Sequence, residues 1–186
     1  MTVPTDLDRR FREAATALDL VDVAFDVLET ELGPMLAAVT DHGLARLHFD
    51  AAPDAHLESL ARQAGPRVLR APRKLDVVRR ELDEYFAGRR TVFDLGLDLR
   101  GLPDFTVRVL HELALVPYGH TSTYGDLARQ VGSPNASRAV GTVMNRNRIP
   151  IVLPCHRSVG SSGALVGYAG GLERKLHLLR LEGAIL

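Results

Sequence analysis

The 186-residue chain, 46% hydrophobic and 25% charged, is long enough for one large domain or two small ones and has the makeup of an ordinary globular protein. It has no apolar run near the roughly 18 residues of a membrane-spanning helix, and its one cysteine excludes an internal disulfide and any multi-cysteine zinc site. The formal charge is zero, but residues 1–100 carry 14 Lys and Arg against 18 Asp and Glu and residues 101–186 carry 9 against 5, which suits either a polyanion partner for the second half or plain solvated faces.

In chain order, residues 5–18 are predicted as a short polar helix capped by Thr5 or Asp6, with Leu7, Phe11, Ala14, Ala15 and Leu18 on one side. The opening 20 residues lack the charged-then-apolar layout of a secretory signal, so a cytoplasmic location is expected. VAFDVLET, PMLAAVT and LARLHFD alternate as three strands, joined through ELGP and a DHG turn. LESLARQAG predicts a helix ending at Gly65, and KLDVVRRELDEYFAG a stronger one with Leu75, Val78, Leu82, Tyr85 and Phe86 on one face and Gly88 past its end. TVFDLGLDLR alternates again and is predicted as a strand.

RGLPD, residues 100–104, is the expected boundary between differently patterned halves. Beyond it, FTVRVLHELALVP is an amphipathic helix stopped at Pro117, and STYGDLARQVG is a second, with Ser122 as cap and Gly132 as terminator. SPNASRAVGTVMNRN is a third, and a last helix runs from about Leu172 to Glu182. Helix, short turn and helix over residues 122–146 have the spacing of a helix-turn-helix. The expected organisation is an N-terminal extension over residues 1–20, an α/β domain over 21–100 built on a small antiparallel sheet with helices, and a mostly α domain over 101–186.

IVLPCHR is the most informative segment. Burial after an aliphatic run raises a thiol's pKa, whereas the imidazole of His156 and a nearby cation favour the thiolate of Cys155. Those residue types suit an activated nucleophile. A lone cysteine in such a place is more often a small core residue, so the surroundings decide. The seven histidines show no ligand spacing, and no metal or other cofactor is expected.

The run PYGHTSTYGDLA, ASRAVG, NRNRIPIVLPCHR and GYAGGLERKLHLLRLEG, in that order across residues 104–183, resembles the O6-alkylguanine-DNA alkyltransferases, also called methylated-DNA–protein-cysteine methyltransferases. The P-C-H-R signature, G-Y-x-G-G-L and the closing L-L-x-x-E-G are specific in combination, while the N-terminal half matches only loosely through EYFAG and FDLGLDL. The resemblance implies a ribonuclease-H-like first domain and a winged-helix-like second one. It also implies transfer of an alkyl group from O6 of guanine, and from O4 of thymine, to the protein's own cysteine, once per molecule.

By the same resemblance Cys155 is the alkyl acceptor, His156 the general base through a bound water, Glu182 its orienting carboxylate, and Asn147 the brace between helix-turn-helix and active-site strand. Arg157 is structural. Arg138 fills the gap left by the extruded base, Tyr124 crowds the target phosphate and donates to the flipped base, and Ala136, Ala139 and Gly141 permit close approach to the minor groove. Tyr168, Gly167, Ala169, Ser158, Pro150 and Met144 line the base pocket. The implied partner is double-stranded DNA bearing O6-alkylguanine, bound by a monomer with no obligate protein partner and no membrane. Taken alone, Arg138 also reads as a solvated helix residue and Tyr124 as a core aromatic.

Ser158 stands where the family has a branched aliphatic residue and Arg148 where it has proline, which bears on pocket packing and loop rigidity. No cysteine-rich N-terminal module is present, so a phosphotriester-sensing activator is not expected. Two rivals remain. A non-enzymatic alkyltransferase-like lesion sensor carries tryptophan at the cysteine position, and this chain has no Trp; a plain helix-turn-helix regulator needs a dimerisation element that is not visible.

Overall fold

The computed structural model describes residues 5–18, 20–49 and 54–186, and its chain divides into two compact units. The first comprises residues up to Asp83 together with Asp94–Asp98; the second comprises Glu84–Phe93 and Leu99–Leu186. The segment Glu84–Phe93, which the sequence reading placed in the N-terminal half, therefore groups with the second unit.

In the first unit, strands β1 (Val23–Leu28), β2 (Met35–Thr40), β3 (Gly43–His48) and β4 (Val68–Arg70) form one sheet in the order β3-β2-β1-β4. The three predicted strands pair antiparallel, but β4 lies parallel to β1, so the sheet is mixed rather than antiparallel. A parallel neighbour needs a crossover connection, and helix α2 (Asp54–Ala64) lies within it. Its Leu60 packs with Val23, Ala38 and Ala45 in a buried apolar cluster. β4 spans three residues between Pro66 and Pro72, too short to show an alternation.

Two expectations for this unit fail. TVFDLGLDLR is not a strand: it runs beside the start of β3 with one isolated bridge, Leu44 to Leu97. Leu44 N donates to Gly96 O at 2.8 Å and Asp98 N to Leu44 O at 2.9 Å, while Gly43, at φ +121°, lets the Gly96 carbonyl come where a Cβ would sit 2.2 Å from it. Helix α1 (Thr5–Ala17) forms as predicted, yet Leu7, Phe11 and Leu18 on its apolar side face solvent. Local charge pairs, Arg9 with Asp6 at 2.6 Å and Arg12 with Asp8 at 2.5 Å, support it instead. Asp6 lies inside this helix and is not its cap, and the Thr5 side chain, like Asp50 of the LARLHFD segment, lies outside the described residues.

Helix α3 (Asp76–Phe86) follows a 3-10 turn at Pro72–Leu75, and its last turn contributes Tyr85 to the second unit. There, α4 (Asp104–Ala114), α5 (Tyr124–Gln130) and α6 (Ser137–Asn145) pack on one another through Val109, Leu110, Leu113, Leu127, Ala128, Val140 and Val143. The cap of α5 is Thr123, not Ser122: Thr123 Oγ1 accepts from Asp126 N at 3.0 Å and Thr123 N donates to the Asp126 carboxylate at 3.2 Å, a reciprocal capping box. Ser122 pairs instead with Ser158 in a two-residue parallel ladder between β5 (Ser122–Thr123) and β6 (Ser158–Val159). The last helix, α7 (Leu172–Leu181), packs on the turn Cys155–Arg157. Among the described residues no helix is long and apolar enough to cross a membrane.

Candidate functional site

After α6 the chain buries Ile149, Ile151 and Leu153, and Ile151 sits at φ 73°, a conformation costly for a β-branched residue. Asn147 fixes this loop from within: its Nδ2 donates to Leu153 O at 2.8 Å and its Oδ1 accepts from Ile149 N at 3.0 Å. The chain then turns through Cys155, His156 and Arg157, with Cys155 N on Leu153 O at 2.8 Å and Arg157 N on Pro154 O at 2.9 Å. All three residues are buried.

Glu182, just past α7, gathers the donors of this turn. Its Oε1 accepts from His156 Nε2 at 2.8 Å, from Arg157 at 2.9 Å and from the Tyr85 hydroxyl at 2.7 Å; its Oε2 accepts from Arg157 Nε at 2.8 Å and from Gly119 N at 3.4 Å. Gly119, at φ +75°, permits this approach, since a Cβ there would meet the Glu182 carbonyl oxygen at 2.9 Å. Burial alone would raise the carboxyl's pKa, but the bonds from His156, Arg157 and Tyr85 outweigh it and hold it at about 2. Arg157 also donates to Val116 O at 2.6 Å and lies over the Tyr118 ring, so its guanidinium links Glu182, the chain just past α4 and Tyr118.

An ionised Glu182 assigns the histidine tautomer: Nε2 carries the proton, leaving Nδ1 as a lone-pair acceptor. Burial pushes the His156 pKa down against the pull of Glu182, so the ring is neutral near pH 7. Its Nδ1 is buried without a hydrogen-bond partner among the described residues. The imidazole is a base in waiting.

The thiol departs from expectation. Burial of Cys155, at 2% exposure, pushes its pKa up to about 11, and the opposing bonds from Asn147 and Tyr168 and the charge of Lys175 only moderate the rise. At pH 7 only about one thiol in 10,000 is then ionised, so the resting group is a neutral thiol rather than a preformed thiolate. Its neighbours are not an aliphatic wall, however, because amide, phenol and ammonium groups all act on it.

The predicted pocket residues fall into two sets. Ser158, Pro150 and Met144 are buried, Ser158 directly after the reactive turn, and Tyr168 acts electrostatically on the thiol. Gly167 and Ala169 lie exposed on the glycine-rich loop, with Gly167 at φ 39°. Of the residues expected to meet DNA, Tyr124, Arg138 and Gly141 line an open groove of about 630 Å³ together with Thr123, Arg129 and Ser161. Ala136 and Ala139 do not line it; Ala136 precedes α6 as its cap and Ala139 is exposed on that helix. The Tyr124 hydroxyl donates to Val166 O at 3.2 Å, tying α5 to the glycine-rich loop.

Sequence reasoning missed two residues of this centre. Tyr85 was read as core, and it is fully buried, but its hydroxyl bonds to a carboxylate 97 positions away. Lys175, mid-helix among charged neighbours, carries no sequence signal at all, yet it is fully buried with Nζ on Ser158 O at 2.6 Å and Val166 O at 3.1 Å. Among the described residues no cluster of three His, Cys, Asp or Glu could hold a metal ion.

Two family models match the chain: the ribonuclease-like domain of 6-O-methylguanine DNA methyltransferase over residues 23–99, and the DNA binding domain of the same proteins over residues 104–184. A methylated-DNA--protein-cysteine methyltransferase of Mycobacterium leprae is 55% identical over 102 residues, an alignment covering 55% of this chain and 61% of that relative. One of the same name from Methanosarcina acetivorans is 39% identical over 168 residues, covering 86% of this chain and 98% of the relative. The crystal structure of Mycobacterium tuberculosis OGT in complex with DNA superposes with a TM-score of 0.75 at 38% identity, covering 87% of this chain and 93% of that one.

Proposed function

Since this chain belongs to the 6-O-methylguanine DNA methyltransferase family, we propose that it repairs DNA by moving an alkyl group from O6 of guanine, and from O4 of thymine, to Cys155. The observation that carries the reading is the buried turn in which the nucleophile Cys155 is followed by a neutral His156 whose far nitrogen is held by Glu182 at 2.8 Å. That is the order of nucleophile, base and orienting acid that an activated thiol requires.

The thiol proton passes through a bound water to His156 Nδ1, whose charge Glu182 then compensates. The sulfur forms a bond to the alkyl carbon as the bond from that carbon to O6 breaks, and the departing guanine takes a proton or a hydrogen bond from Tyr124. A thiol pushed up to about 11 makes the base indispensable, because spontaneous ionisation is rare near pH 7. It also makes the ion, once formed, a strong nucleophile, since nucleophilicity rises with thiol pKa. The thioether has no easy return path, so each molecule reacts once, and the chemistry asks for no metal or organic cofactor.

The target atom lies inside a duplex, so the base must leave the stack. In this reading α5 and α6 form a helix-turn-helix of the winged-helix kind that enters the minor groove, and the first unit is ribonuclease-H-like. Arg138, exposed and lining the groove beside Tyr124, takes the place of the extruded base, while Ala136, Ala139 and Gly141 let the helix approach. Tyr168, Gly167, Ala169, Ser158, Pro150 and Met144 receive the purine, and Asn147 holds the loop between helix and nucleophile. The protein acts as a cytoplasmic monomer on double-stranded DNA.

Intact-mass measurement after incubation with duplex DNA containing O6-methylguanine tests the assignment. One added methyl on the peptide bearing Cys155, absent in Cys155→Ala although that variant still binds the DNA, is the expected result. No gain at stoichiometric substrate refutes transfer, and tight lesion binding without transfer indicates a sensor.

A further inference from the structure

Lys175 is a buried cation without a counter-ion. Its side chain is fully buried within the first turns of α7, its ammonium bonds two neutral backbone carbonyls, Ser158 O at 2.6 Å and Val166 O at 3.1 Å, and no carboxylate pairs with it among the described residues. Burying an ammonium is unfavourable unless an opposite charge is near. Burial does pull the Lys175 pKa down, and the group that opposes this pull is Cys155. The two carbonyls also have meaning: Ser158 directly follows the reactive turn, and Val166 begins the Gly167–Tyr168 loop. A single ammonium thus staples the end of the nucleophile's turn to the glycine-rich loop, the two walls of the proposed base pocket.

We propose that Lys175 is a positioning residue whose ammonium joins these two walls and serves as the counter-ion of the Cys155 thiolate while the alkyl group is transferred. The proposal rests on Cys155 being the acceptor. The other groups facing the sulfur cannot take this part: Tyr124 from α5 and Tyr168 from the glycine-rich loop are neutral phenols held protonated by burial, and Asn147 offers only a neutral amide. His156 on the same turn is neutral at rest and becomes positive only when it accepts the thiol proton. Lys175 alone carries its charge before the reaction starts, so it favours ionisation without a proton of its own being moved.

The test reads the thiol directly, since Cys155 is the only cysteine. Alkylation by iodoacetamide, in which an S–C bond forms and iodide leaves, is followed from pH 6 to pH 11 in the wild-type chain, Lys175→Gln and Lys175→Arg. Glutamine keeps a donor for the carbonyls but removes the charge. It should slow alkylation about tenfold at neutral pH by raising the apparent thiol pKa about one unit, while arginine stays within about threefold of wild type. A glutamine variant within about twofold of wild type at neutral pH, or an arginine variant as slow as the glutamine one, overturns the counter-ion role and leaves a purely structural one. If the glutamine variant does not fold, NMR titration of the wild-type Cys155 Cβ and Lys175 Cε decides: a shared titration step supports the coupling, and two independent curves overturn it. Methyl transfer from DNA is scored separately by mass, so failure of the acceptor assignment is not confused with failure of the counter-ion.

Discussion

Replacing Glu182 by glutamine should change both the stability of the protein and its response to acid. The carboxyl sits at about 2 rather than its ordinary 4.5, a depression that corresponds to roughly 3 kcal/mol of stability. A lowered acid pKa means the charged form is favoured by folding, so this contribution is complete above about pH 4.5 and is lost as pH falls toward 2. In Glu182→Gln the Arg157 guanidinium keeps its burial and loses the partner that holds it at 2.8 Å, and breaking such a pair costs about 3–5 kcal/mol at pH 7. Urea unfolding of the full chain, followed by far-UV circular dichroism at several pH values from 7 to 3, measures both. The wild-type protein should lose stability steeply below about pH 4.5, and the difference between the two proteins should shrink there. Two curves that fall in parallel, or a variant within about 1 kcal/mol of wild type at pH 7, refute the view that Glu182 is an ionised hub.

Alkylation of wild-type Cys155 by iodoacetamide should quicken about tenfold per pH unit from 7 to 10 with no plateau short of about 11, and a plateau near pH 8 contradicts the dominance of burial. Arg138→Ala should weaken repair of duplex DNA well beyond its effect on reaction with free O6-benzylguanine, both scored by Cys155 modification; equal losses count against a role in base extrusion. Thr123→Ala removes the reciprocal cap of α5 and should cost about 1 kcal/mol in urea unfolding, and an unchanged midpoint shows that the helix start is held by other contacts.

The chemistry was legible because its parts are adjacent in sequence. Cys155, His156 and Arg157 fall on one turn, the glycines at Gly167 and Gly171 adopt the positive φ that their residue type permits, and each helix of the second unit announces itself by its apolar spacing. Where the reading failed, the deciding contact was distant or the element short. β4 is three residues held by its parallel neighbour, residues 91–100 follow the β3 edge without forming a ladder, and the apolar side of α1 finds no cover. Ser122 lost the cap to Thr123 because Asp126 stands three residues after the latter, completing the capping box.

The sequence by itself determined the reactive turn, its order of thiol, imidazole and guanidinium, and the family pattern around it, since these depend on residue type and short spacing. Only the tertiary structure decided the charge state of the sulfur. It also alone brought Tyr85 to Glu182 and the Lys175 ammonium to the carbonyls of Ser158 and Val166. Desolvation is a property of everything packed around an atom, and no local pattern of residues encodes it.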